Sequence, residues 1–370
     1  MLDIGPFSSL ISLIDANFSL YDRCLYGFVT ALVAGFVIAK PLINLLASHR
    51  IRQVFRTRQQ VKDLAILHGQ KLGVSTMGGI VVMIASLLSM AIWASFNDLV
   101  IMALMIYAVC SLLGAIDDIL KIVREKSLGL TSWQKLFAQL LITALVLYVA
   151  RESPPINNLL TNVEWSWFYG RFDQTTAYAL IAVFYFLVIA GTSNGVNITD
   201  GIDGLAITNI TQCFVFFTIV AFYSCDVGVA ARSTLAYIGG AGELAVLCAC
   251  FAGGCLAFTR FNWYPASVFM GDMGAIGLGG LLAGVAMLLR QPFILILVGL
   301  IFVVETVSVA LQITSKRVFK RKIFLMAPLH HHFELSGYSE RRIVKVTFVI
   351  QAICVAAALY VTFHGCIGDS

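Results

Sequence analysis

The stretch "SNGVNITDGIDGLA", Ser193 to Ala206, holds two aspartates, two asparagines, Ser193, Thr199 and three glycines. A mostly apolar run, 177–193, precedes it, and a second, 205–224, follows. Backbone and side-chain polar groups cannot stay unpaired in hydrocarbon, where each costs several kcal/mol. A polar run this dense, set between two segments suited to lipid, therefore lies where the chain reaches water. The three glycines predict that it is not a regular helix, and residues 194–204 read as a loop. A plain turn between two helices is the bland alternative, but a plain turn needs only one or two polar residues.

Composition widens this reading to the whole chain. The protein has 370 residues, 59% hydrophobic and only 12% charged, where soluble domains run at about 45–50% and about 25%. That excludes a soluble globular domain. A helix needs roughly 20 apolar residues to cross a bilayer. Apolar runs predict ten spans, near 22–46, 73–95, 99–120, 133–150, 176–193, 205–224, 236–258, 273–289, 292–314 and 343–364. The expected architecture is an all-α polytopic integral membrane protein, a single transmembrane catalytic domain over residues 1–370. The start, "MLDIGPFSSL", has Asp3 and no basic region, so an uncleaved first span is expected. The nine cysteines form no CxxC pair and most lie in apolar runs, which predicts small buried hydrophobes rather than a zinc site.

Basic residues set the orientation. Loops 47–72, 121–135, 194–204, 259–272 and 315–342 together carry eighteen Lys and Arg; the opposite loops and ends carry five. The positive-inside rule places the first set in the cytoplasm. Ten spans then put both termini on the periplasmic side. The formal net charge of +5 is spread over these loops, and no nucleic-acid partner is expected. The acids follow the same sorting. Asp117, Asp118, Asp200, Asp203 and Asp272 all fall at cytoplasmic span ends or loops, as do His330, His331 and His332. The active site is expected on that face.

The individual motifs each have a bland reading. In "LLGAIDDILKI", adjacent Asp117 and Asp118 disfavour each other's ionisation unless a cation is near, or they form a solvated helix end with Lys121 at i+4. In "FNWYPASVFMGDMGAIGLGG", Asp272 sits among glycines that let a phosphate or metal approach, or it caps the next helix. "KLGVSTMGGIVV" sets Lys71 five residues before Thr76, a candidate anion site at a helix start. "APLHHHFELSGYSE" places His330 to His332 in a basic loop. Three consecutive helical residues point about 100° apart, so they do not share one metal without irregular backbone; contact with a phosphate fits better. Glu243 and Glu305 lie inside apolar runs, where acids are functional or paired; Glu305 reads as a supporting residue.

Taken in order, "STMGG", "GAIDD", "NGVNITDGIDGLA", "FNWYPASVFMGDMGA" and "APLHHHFEL" resemble the polyprenyl-phosphate N-acetylhexosamine-1-phosphate transferases. Within these the sequence is similar to the phospho-N-acetylmuramoyl-pentapeptide transferase (MraY) family, to which "HHHFEL" points in particular. Ser75, Tyr264 and Ala275 stand where that family commonly has Pro, His and Ser. The resemblance implies transfer of phospho-MurNAc-pentapeptide from UDP-MurNAc-pentapeptide to undecaprenyl phosphate at the bacterial inner membrane, giving lipid I and UMP for peptidoglycan. It implies Mg²⁺, with Asp272 as metal ligand and Asp117, Asp118 and Asp272 as catalytic residues. Asp117 would engage or deprotonate the lipid phosphate, with Asp118 beside it. Asn194, Asn197 and Asp200 would shape the nucleotide and metal site. Ile198, Gly201, Asp203, Asn262 and Phe269 would line a uracil pocket. Lys71, Thr76, Lys135, His330, His331 and His332 would complete substrate binding, mostly at phosphates. A homodimer surrounded by membrane lipid is also implied. The rival readings are a GlcNAc-1-phosphate transferase of the same superfamily and, more distantly, a secondary transporter. A transporter would hold its acids near the bilayer midplane.

Overall fold

The computed structural model describes residues 17–49, 74–124, 129–161 and 173–364. Lys71 lies outside the described residues. The described chain is helical, with one isolated parallel bridge between Ser75 and Val268. Its helices are α1 (Leu20–Ser48), α2 (Gly79–Trp93), α3 (Asp98–Val123), α4 (Ser132–Glu152), α5 (Pro154–Thr161), α6 (Gln174–Thr199) and α7 (Leu205–Ser224). They continue as α8 (Val227–Ala230), α9 (Ala241–Asn262), α10 (Gly271–Leu288), α11 (Ile294–Val298), α12 (Leu300–Val318), α13 (Leu329–Leu335) and α14 (Glu340–His364).

Among the described residues, eight helices are long and apolar enough to cross a membrane: α1, α3, α4, α6, α7, α9, α10 and α14. Starts are set locally. Ser19 and Asp22 form a capping box at α1, Thr131 and Gln134 another at α4, and Asn97 caps α3 through Val100 N. Two expected spans come out differently. The span near 73–95 is helical only from Gly79, because residues 75–79 pair with the chain before α10 instead. The span near 292–314 is broken at Gly299 into α11 and α12. The carbonyl of Val298, freed by that break, accepts from Gln351 Nε2 and from the Cys213 thiol.

Helices α9 and α10 form the buried centre, while α1, α4 and α14 turn much apolar surface outward. Lipid has no need to exclude apolar side chains, so close backbone approach carries helix association here. α10 supplies it. A Cβ at Gly280 would lie 2.5 Å from Cys110 Sγ of α3, one at Gly277 would collide with Ser111, and one at Gly279 would lie 2.7 Å from Ser193 Cα of α6. Glycine here lets α3 and α6 close on α10 from two sides. That brings the C-terminal ends of α3 and α6 to the N-terminal end of α10.

The opposite end of the bundle is fastened by a partly buried ion pair. Arg23 Nη2 of α1 lies 2.5 Å from Glu243 Oε2 of α9. Arg23 Nε also donates to Trp93 O at 3.0 Å, and Ser95 N donates to Glu243 Oε2 at 2.6 Å. Glu243 is thus paired and structural, as an intramembrane acid off the site should be. The eight described cysteines are free thiols, seven of them buried.

Candidate active site

The polar stretch from Ser193 to Ala206 is not the loop its glycines predicted. Ser193 to Thr199 form the last turns of α6, and only Asp200 to Gly204 turn away from it. Gly195 serves close packing: a Cβ there would meet Thr306 Oγ1 at 3.2 Å and Phe302 Cβ at 3.4 Å. Gly204, at φ +83°, makes the real break and starts α7. The continued helix places Asn194 and Asn197 one above the other on one face.

Three carboxylates meet two lysines where α3, α4 and α10 end together. Asp117, fully buried, accepts from Leu130 N at 2.6 Å through Oδ1. Its Oδ2 lies 2.7 Å from Lys121 Nζ and 3.1 Å from Lys135 Nζ. Asp272 binds the same lysines, Oδ1 to Lys121 at 2.9 Å and Oδ2 to Lys135 at 2.7 Å. Asp118 Oδ1 lies 3.7 Å from Lys121 Nζ, and its Oδ2 accepts from Met273 N at 3.1 Å. The capping role open to Asp272 therefore falls to Asp118, reaching across from α3 to the first turn of α10. The i+4 pair of Asp117 and Lys121 exists, but its carboxylate is buried rather than solvated. Lys121 is thus a site residue that helical spacing signalled only as a surface pair.

Thr76 and Phe269 are held by the bridge between their segments. Phe269 N donates to Ser75 O at 2.8 Å, Gly78 N to Phe269 O at 2.8 Å and Gly79 N to Met270 O at 2.9 Å. The first and fourth motifs thereby become one unit. Gly271 closes it at φ +76°, with Asp118 Oδ2, Met77 N and Thr76 Oγ1 all within 2.9 Å of where a Cβ would stand.

Asp200 lies at the C-cap of α6, partly buried. Burial, then the negative charges of Asp272, Asp118 and Asp203, push its carboxyl well above the usual range, opposed by a hydrogen bond from Gly271 N. Asp203 Oδ2 accepts from Ala266 N at 2.9 Å, and Asn262 links Gly204 N (3.1 Å) to Val268 O (3.0 Å). Asp203 and Asn262 thus hold the 263–270 segment in place, with Gly201 exposed and Ile198 half-buried beside the same turn. Tyr264, where the resembled family has His, lies under Arg341, whose guanidinium carbon is 5.1 Å from the ring centroid.

The three histidines lie on α13, not in an open loop, and each has its own neighbours. His330 is buried, its Nδ1 3.2 Å from Glu305 Oε2, and its ring packs on Gly201 so tightly that no Cβ fits there. His331 Nδ1 pairs with Glu334 at 2.6 Å, and His332 Nδ1 accepts from Leu325 N at 3.2 Å. Glu305 is therefore paired with His330, and the three histidines face three different partners. Gln139 and Gln312 were not signalled by any motif. Gln312 holds the chain at Ile323 and Phe324 by three hydrogen bonds.

Among the described residues, no three His, Cys, Asp or Glu side chains form a ready cage for a metal. The donor chemistry does fit an open site for a hard cation. Mg²⁺ usually takes one or two carboxylates and leaves its other positions to water and phosphate. Asp272 and Asp200 supply hard oxygens, and the carboxylates outnumber the two lysines.

This arrangement, carboxylates and lysines gathered at one end of an intramembrane helix bundle, can hold and polarise phosphate groups beside lipid. Glycosyl transferase family 4 matches residues 99–290, the segment that runs from α3 through α10 and supplies Asp117, Asp118, Lys121, Lys135, Asp200 and Asp272. Proteins named phospho-N-acetylmuramoyl-pentapeptide-transferase are similar over nearly the whole chain. The one from Methylacidiphilum infernorum is 36% identical over 332 residues, 90% of each chain. That from Citrifermentans bemidjiense is 35% identical over 355 residues, 96% of each. That from Geobacter sp. strain M21 is 36% identical over 338 residues, 91% of this chain and 92% of the relative. The chain belongs to this family of membrane transferases.

Proposed function

We propose that the protein transfers phospho-N-acetylmuramoyl-pentapeptide from UDP-MurNAc-pentapeptide to undecaprenyl phosphate, releasing UMP and forming lipid I. The observation that carries this is the convergence of Asp117, Asp118 and Asp272 on Lys121 and Lys135. Two anionic substrates approach each other only where positive charge offsets their repulsion, which the two ammonium groups together with a bound cation would supply. Asp117, with both oxygens engaged, keeps the lysines in place and meets the lipid phosphate through them. The lipid phosphate is already ionised near neutral pH, so one of its oxygens attacks the sugar-bearing phosphorus directly. The bond from that phosphorus to the UMP oxygen breaks, and UMP leaves with the electron pair.

Asp272, with Asp200, would hold Mg²⁺; bound there, the ion supplies Lewis-acid stabilisation of charge on the transferring and leaving phosphates. Asn194, Asn197 and the turn from Ile198 to Asp203, with Asn262 and Phe269, would take the nucleotide. Helix α13 would contribute His330, His331 and His332 toward the phosphates. We further propose ten spans, α2 and the broken α11–α12 pair added to the eight long helices, with both termini periplasmic. The inner membrane and a homodimer complete the reading.

The test is UMP release by the purified protein in detergent with undecaprenyl phosphate and Mg²⁺, offering UDP-MurNAc-pentapeptide and UDP-GlcNAc separately. Release from the muramoyl donor alone, abolished by chelation and by Asp272→Asn, is expected. Release from UDP-GlcNAc alone would keep the chemistry and overturn the donor. Release from neither would overturn the reading and return weight to a carrier.

A further inference from the structure

Helix α4 buries few polar groups, and Gln139 is completely buried although it sits in a span. It lies one turn beyond Lys135 on the same face. Its Nε2 donates to Ser193 Oγ at 2.9 Å, and its Oε1 accepts from Asn194 Nδ2 at 2.9 Å. Both partners are tied to backbone carbonyls of α6: Ser193 Oγ donates to Ile189 O at 2.6 Å, and Asn194 Nδ2 donates to Ala190 O at 2.9 Å.

Carbonyl oxygens only accept, so these two bonds fix the direction of the whole chain. The Ser193 proton is committed to Ile189, which leaves its oxygen to accept from Gln139. One Asn194 amide proton is committed to Ala190, which leaves the other for Gln139 Oε1. Neither carboxamide can flip without setting donor against donor or acceptor against acceptor. Asn194 Oδ1 has no partner among the described residues and belongs to a residue that is partly exposed.

We infer that Gln139 is a positioning residue that locks the Asn194 carboxamide with Oδ1 turned out as an acceptor for a hydroxyl or amide N–H of the nucleotide sugar. This rests on the placing of Asn194 in the donor site proposed above. A bare acceptor repels phosphate oxygen, so the contact selects the donor's sugar or base rather than its diphosphate. The lock also ties α6 to α4 one turn from Lys135, keeping nucleotide contact and phosphate contact in one register.

The test compares Gln139→Met, which keeps length and apolar bulk but no hydrogen bond, with Gln139→Glu, Asn194→Ala and the Gln139→Met/Asn194→Ala pair. UMP release gives kcat and separate KM values for UDP-MurNAc-pentapeptide and undecaprenyl phosphate. Gln139→Met is expected to raise the donor KM about tenfold, with kcat and the lipid KM within about twofold. Gln139→Glu, which still accepts from Asn194 Nδ2 but sets an acceptor against Ser193 Oγ, should not recover that loss. In the Asn194→Ala background Gln139→Met should add nothing. An independent effect of equal size in both backgrounds, or equal rises in both KM values, would overturn the inference. Should Gln139→Met fail to fold, Ser193→Ala tests the chain from its other end, with a donor KM rise of about threefold that vanishes in the Asn194→Ala background. An inactive wild type would refute the functional reading, whereas an active wild type with a silent Gln139→Met refutes this inference alone.

Discussion

Replacing Lys135 by methionine removes one of two cations from a group of three carboxylates. Asp272 Oδ2 loses its contact at 2.7 Å, and Asp117 Oδ2 loses one at 3.1 Å. Lys121 remains, 2.7 Å from Asp117 and 2.9 Å from Asp272, but it now offsets all three acids alone. The formal charge of the cluster falls from −1 to −2. Truncating one partner of a largely buried charge pair costs about 2–5 kcal/mol. Taking about 2–4 kcal/mol of that in the transition state, with 1.36 kcal/mol per tenfold, kcat/KM should fall roughly 30- to 900-fold. A second signature separates loss of a phosphate contact from general damage. With a competing cation gone, the carboxylates attract a divalent ion more strongly, so the half-activating Mg²⁺ concentration should drop while the maximal rate falls. The assay is UMP release titrated with Mg²⁺, alongside thermal melting in detergent to show that the variant is folded. A folded Lys135→Met that keeps kcat/KM within threefold refutes the reasoning.

Gly271→Ala should abolish measurable UMP release and lower the melting temperature. Its φ of +76° costs a side chain about 1–2 kcal/mol before the new Cβ meets Asp118, Met77 and Thr76. Gly201→Ala, at an exposed turn, should displace His330 and lower kcat/KM by about 10²-fold, with little change in melting; unchanged kinetics would remove His330 from the site. Arg23→Met leaves Glu243 without its cation at the far end of the bundle. It should cost about 3–5 kcal/mol of stability, read as a lower melting temperature, while the folded fraction keeps its kcat/KM.

Much of the fold was legible because lipid leaves few choices. Each apolar run predicted from the sequence contains a helix, since backbone groups in hydrocarbon must pair within the segment. What was not legible came from packing at the end of the bundle that holds the carboxylates. Gly195 looked like a breaker and is a contact point, because Phe302 and Thr306 lie where its side chain would go. The start of the second span looked continuous and is instead diverted at residues 75–79, whose backbone pairs with residues 268–270 from a distant part of the chain. Apolar periodicity cannot reveal that a segment will bond to a partner nearly 200 positions away.

The site divides along the same line. Asp117, Asp118 and Asp272 were legible because an acid in an apolar context is costly and has to be explained locally. Their division of labour was not, because it depends on which helix end each one meets. Asp272 begins α10, where a cap is normal, yet Asp118 provides that cap from α3, and this frees both Asp272 oxygens for lysines. Lys121 carried only the signal of an i+4 surface pair and became a shared cation when α10 closed on α3. Gln139 carried no signal at all, since a glutamine in an apolar helix has no motif. Its meaning lies in two backbone carbonyls of another helix that fix which way its amide must point. A sequence thus announces the charges a membrane site must hold, while the contacts that orient them emerge only where separate helices meet.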